Sequence, residues 1–135
     1  MIPAPPPVPG GSKAAQRLWR DLWQKVGGWP GLTIKVQKSQ LGLWAGGHPV
    51  AALWSAEAAL GRAGAPLVVS VFARTRLDGP WKEVVEPAPG RFTHHAEIGD
   101  AEESGAVVDA LRRALPNDFP AKNQGRGPRL EGPEA

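Results

Sequence analysis

The sequence predicts an α+β fold: a single antiparallel sheet of about five strands, with N- and C-terminal helices packed on one face. Three observations carry that prediction. Residues 13–26 and 101–115 place apolar side chains at three- and four-residue spacing, the period of a one-sided helix. Between them, short stretches alternate apolar and polar side chains, the period of a half-buried strand. No helical pattern long enough for repeated parallel crossovers separates the strands, so neighbours are expected to run antiparallel.

The elements follow in order. Ser12 caps the first helix, whose apolar stripe is Ala15, Leu18, Trp19, Leu22, Trp23 and Val26. Gly27 and Gly28 are expected to end it in a left-handed conformation. Trp29-Pro30-Gly31 reads as a turn. Leu32, Ile34 and Val36 then alternate with Thr33, Lys35 and Gln37 as a first strand, and residues 40–45 form a second. Gly46-Gly47 is the best hairpin turn in the chain, because the two-residue turns that match strand twist favour residues free to adopt positive φ. It leads into a strand at 48–55. Residues 55–65, rich in Ala and Gly, fit one helical turn or an ordered loop.

Residues 67–75 are apolar on both faces for much of their length, which suits a central strand. Leu77-Asp78-Gly79-Pro80 breaks the chain, and residues 81–86 read as a short edge segment. Residues 91–98, Arg-Phe-Thr-His-His-Ala-Glu-Ile, form the last strand of the series. Phe92, His94, Ala96 and Ile98 share its core-directed face, and Arg91, Thr93, His95 and Glu97 share the other. Asp100 and Glu103 open a closing helix in the manner of a capping box. Its stripe is Val107, Val108, Leu111, Ala114 and Leu115, and it ends before Pro116.

Length allows one domain, expected over residues 12–115. Residues 1–11 are rich in Pro and Gly and read as a disordered, polyproline-like tail, and residues 116–135 as a second disordered tail. The net charge of +3 is far from the dense basic stripe of a dedicated nucleic-acid binder. The chain contains no cysteine, which removes disulfides and thiolate metal sites. No apolar run is long enough to span a membrane, and no signal-peptide pattern stands at the N-terminus, so the expected location is the cytoplasm of a bacterium.

Four stretches carry a family resemblance: Lys38-Ser39-Gln40-Leu41-Gly42-Leu43, residues 48–54, residues 74–80, and Pro89-Gly90-Arg91-Phe92-Thr93-His94-His95. Together they resemble a small bacterial domain family of unknown function, with an Arg-Phe/Trp-x-His-His strand and a closing amphipathic helix. The resemblance spans nearly all of residues 12–115. This chain departs from the pattern at Trp44-Ala45-Gly46-Gly47, where relatives carry a more basic turn. The resemblance implies the α+β fold and assigns no activity.

Catalytic patterns are missing. The serines stand in no nucleophile elbow, no glycine loop is followed by Lys-Ser/Thr, and His48, His94 and His95 lack a metal-ligand spacing. No catalytic residue, metal or cofactor is therefore expected. Six tryptophans in a chain without tyrosine need an account. Trp19 and Trp23 fall on a core stripe, whereas Trp44 falls on the outward strand face, where a ring near Arg side chains suits stacking or an interface. The leading expectation is a non-enzymatic binding or interaction domain using Trp44, Arg74, Arg76, Trp81 and Arg91. The alternative is a small-ligand or anion-binding pocket around His94 and His95. The partner would be a protein or a small anionic ligand, with a homodimer as one form; scattered acids argue against nucleic acid.

Overall fold

Ser12 starts the first helix, α1 (Lys13–Val26), by accepting a hydrogen bond from the Ala15 N–H at 3.1 Å. The helix end differs from expectation. Gly27 keeps right-handed geometry (φ −64°) and donates its N–H to the Trp23 carbonyl at 2.7 Å, and the Trp29 N–H reaches Val26 O at 3.0 Å. With these carbonyls satisfied, no left-handed glycine is needed, and neither Gly27 nor Gly28 has positive φ.

The computed structural model describes residues 4–29, 31–55, 66–115 and 129–131. Its strands are β1 (Leu32–Val36), β2 (Leu41–Ala45), β3 (His48–Ser55), β4 (Leu67–Ala73), β5 (Glu83–Ala88) and β6 (Arg91–Ile98). Helix α2 (Ala101–Ala114) and strand β7 (Arg129–Glu131) follow. One sheet contains all the strands in the order β5-β6-β4-β3-β2-β1-β7. The first six pair antiparallel, and both helices cover one side, the α+β architecture expected. The segment expected near 81–86 is a full edge strand displaced two residues onward.

Turn chemistry sets the register. Gly46 and Gly47 both have positive φ (58° and 81°), which closes the β2–β3 hairpin as expected. Gly90 (φ 72°) follows Pro89 between β5 and β6. Within β2–β3, Leu43 pairs with Ala51 and Trp44 with Pro49, so Val50 is an extra residue in β3. This bulge lets Val50 and Ala51 both enter the core.

The core lies between the sheet and the helices. Leu32, Ile34, Leu41, Leu43, Leu53, Val69, Val71 and Ile98 meet Trp19, Leu22, Trp23, Val107 and Leu111 there. His94, Ala96 and Ile98 are buried on that side, so the face assignment within residues 91–98 holds. Phe92 is on the expected face yet only half-buried, since it pairs with Ala73 at the last position of the ladder. At α2, Asp100 Oδ1 accepts the Glu103 N–H at 2.9 Å, while Glu103 Oε1 reaches back to Gly99 N–H rather than to Asp100.

Two boundaries need correction. Residues 4–11, expected as part of a disordered tail, pack on α1: Val8 is 1% exposed and belongs to the core, and Trp19 Nε1 donates to Pro6 O at 2.7 Å. An extended proline run brings little backbone freedom to lose, and one aliphatic anchor suffices to dock it. The C-terminal segment supplies β7, which pairs parallel with β1 and makes the sheet mixed at that edge. Residues 1–3, Pro30, residues 56–65, and the tail residues 116–128 and 132–135 lie outside the described residues.

Ser104 is the one sealed hydroxyl of α2 without a hydrogen-bond partner among the described residues. Burying an unpaired hydroxyl is unfavourable, and alanine is the better helix former. Ser104→Ala should therefore raise unfolding free energy by about 1 kcal/mol in urea titration. A loss of that size would mean the hydroxyl is bonded in solution.

Candidate functional site

Alternation along the strands gives the sheet a second face, turned away from the helices. It carries Lys35 of β1, Gly42 and Trp44 of β2, Ala52 and Trp54 of β3, Val68, Ser70 and Phe72 of β4, and Thr93, His95 and Glu97 of β6. Trp44 leans across Gly42, where an added Cβ would lie 3.2 Å from its Nε1. Lys35 Nζ stands 3.8 Å from the ring centroid. Both contacts hold the indole against the sheet, a cation–π arrangement over a side-chain-free strand position.

One end of this face collects the arginines. The β4–β6 ladder ends at Ala73–Phe92, so Arg74, the first residue after β4, and Arg91, the first residue of β6, both lie at this end of the sheet. Arg76 follows in the loop after β4. All three are exposed, and none makes an ion pair or cation–π contact among the described residues. Two arginines of α2, on the other side of the sheet, are engaged: Arg113 Nη2 donates to Asp78 O at 2.6 Å, and Arg112 lies 4.6 Å from the Trp29 ring centroid. Trp44 is at the same end, on a strand about 10 Å from β4 with β3 between them.

Trp81 and His94 belong to the other face. His94 is fully buried; Nδ1 lies 3.0 Å from Val71 O, and Nε2 accepts the Leu77 N–H at 2.9 Å. A carbonyl can only accept and an amide only donate, so the ring is the neutral Nδ1–H tautomer with both nitrogens engaged. Trp81 tilts against it at 5.0 Å between centroids and donates Nε1–H to Leu77 O at 2.7 Å. The ring lies so close over Gly79 that a Cβ there would meet it at 2.7 Å. Leu77, Gly79, Trp81 and His94 thus form one clasp that holds the β4–β5 loop to the core.

His95 occupies the middle of the outer face, with Nδ1 2.8 Å from Ser70 Oγ. Lys82 Nζ pairs with Glu97 at 3.4 Å beside it. A Ser–His contact suggests nucleophilic chemistry, but acyl transfer also needs N–H donors aimed at the developing oxyanion. Ser70 sits in mid-strand between β3 and β6, where the backbone serves the ladders. The seven residues singled out from sequence therefore divide: Trp44, Arg74 and Arg91 towards one outer end, Arg76 in the loop after β4, His95 mid-face, Trp81 and His94 inside. What sequence reasoning missed was Ser70 against His95, visible only once the strands are paired in register.

Among the described residues no cluster of three or more His, Asp or Glu side chains could hold a metal ion, and no helix is long and apolar enough to cross a membrane. Comparison with family models, curated proteins and solved structures gives no match for this chain.

Proposed function

We propose that this chain is a non-catalytic binding module that receives an acidic segment of a partner protein at the arginine-bearing end of its outer sheet face. The observation that carries the proposal is that Arg74 and Arg91, at the same end of the β4–β6 ladder, are both exposed and make no ion pair among the described residues. Guanidinium forks match carboxylates in two-point geometry. Trp44 and Phe72 offer apolar surface next to that charge, the mixture found at interface centres. His94 has no part in this surface, being sealed with both nitrogens bonded. The resemblance to a family of unknown function bears on this reading only through the fold.

The test is fluorescence anisotropy of a labelled hexaglutamate peptide against the full chain at low salt. Binding should be saturable and should weaken as salt is raised. Replacing Arg74 and Arg91 together by alanine should reduce affinity about tenfold or more, and Trp44→Ala should reduce it as well. Binding that survives the double arginine change overturns the proposal. Competition by inorganic phosphate alone at equal concentration would overturn the protein-segment reading in favour of a small anion.

A further inference from the structure

Five residues, Pro5-Pro6-Pro7-Val8-Pro9, include a single backbone N–H, that of Val8. Gln16 of α1 takes it: Gln16 Oε1 accepts the Val8 N–H at 2.8 Å, and Gln16 Nε2 donates to Val8 O at 2.8 Å and to Gly11 O at 3.3 Å. One turn along the same helix, Trp19 Nε1 donates to Pro6 O at 2.7 Å. The Val8 side chain, 1% exposed, enters the core between these two readings. Gly11 closes the arrangement: a Cβ there would stand 2.7 Å from Gln16 Nε2 and 3.2 Å from Val8 O.

Every polar contact in this set is made to backbone, and the spacing is fixed. An indole N–H reads a proline carbonyl, and two residues later an amide reads the only residue able to donate. Extended proline-rich ligands are recognised in this way, with aromatic N–H groups on their carbonyls and pockets for intervening aliphatic side chains. We propose that the Gln16–Trp19 surface of α1 is a binding site for proline-rich extended segments of the form Pro-x-Val-Pro. Residues 4–11 occupy it in cis, and a proline-rich segment of a partner protein occupies it in trans once they are displaced. The tether gives the cis segment a millimolar-scale effective concentration, so a partner competes for the site rather than finding it empty.

The experiment uses the full chain carrying Val8→Asp, which removes the buried anchor, and a synthetic peptide of residues 4–11 as the probe. Far-ultraviolet circular dichroism first establishes that the variant is folded. The peptide should then bind it saturably, read through the Trp19 indole N–H resonance, at least about tenfold more tightly than it binds the unaltered chain. Adding Gln16→Ala to the variant should abolish that binding. A folded Val8→Asp chain that ignores the peptide overturns the proposal, as does equal binding by both chains, which would place the peptide elsewhere. If Val8→Asp does not fold, the milder Val8→Ala variant is held to the same outcomes.

Discussion

Replacing His94 with alanine should lower unfolding free energy by about 3–5 kcal/mol, several times the effect of the same change at His95. The ring is fully buried, so its removal leaves a cavity that surrounding strands close only in part. It also strips partners from the Leu77 N–H and from the Val71 carbonyl, both of which then lose a bond that water does not replace. Trp81, tilted against the same ring, loses the surface that seats it, and the β4–β5 loop is released with it. His94→Leu separates these contributions. It keeps most of the volume but neither hydrogen bond, and should cost about 2 kcal/mol. At His95 the ring is half-buried and makes one hydrogen bond among the described residues, with Ser70 Oγ, so His95→Ala should cost about 1 kcal/mol. Urea titration followed by tryptophan fluorescence measures all three. Equal, small losses at both histidines would mean that the clasp does not form in solution.

The contrast between two adjacent histidines shows what sequence pattern reaches and where it stops. Alternation alone placed His94 inward and His95 outward, because strand side chains have no other option. The same rule put Trp44 outside with Gly42, and the spacing of α1 put Trp19 and Trp23 inside. What alternation lacks is the partner. Ser70 meets His95 only through the β4–β6 register, twenty-five positions apart in the chain, and Leu77 reaches His94 from a loop with no period of its own. Arg74 and Arg91 are separated in sequence by a loop and a whole strand, and the same register brings both to one end of the sheet. The N-terminal segment was misread for a related reason. Its composition describes a chain too poor in apolar residues to fold alone, which is correct, but one valine and a proline carbonyl suffice to dock it on a helix already formed. The unexpected parallel strand β7 rests on three residues, too few for any periodic signal.

Trp19→Ala should be comparably damaging, at about 4 kcal/mol, and should in addition detach residues 4–11. Trp19 is wholly buried, tilts against Trp23 with centroids 5.6 Å apart, and contributes the indole N–H that holds Pro6 O. Its truncation thus removes a large part of the helix–sheet packing and one of the two polar readings of the N-terminal segment. Gln16 would keep the other, yet the Val8 side chain would face a void where the indole had been, and a segment of eight residues with one anchor left is readily lost. The observable is the exchange rate of the Val8 amide, protected in the native chain by Gln16 Oε1. It should exchange on the time scale of an open terminus in Trp19→Ala, at denaturant concentrations where the rest of the domain is still folded. Trp54→Ala is the control: Trp54 is half-buried on the outer face, away from α1, so that change should cost less and leave Val8 protected. If Trp54→Ala proved as costly as Trp19→Ala, the outer face would be a second core rather than a surface. An acidic segment would then have no apolar ground on which to settle beside Arg74 and Arg91.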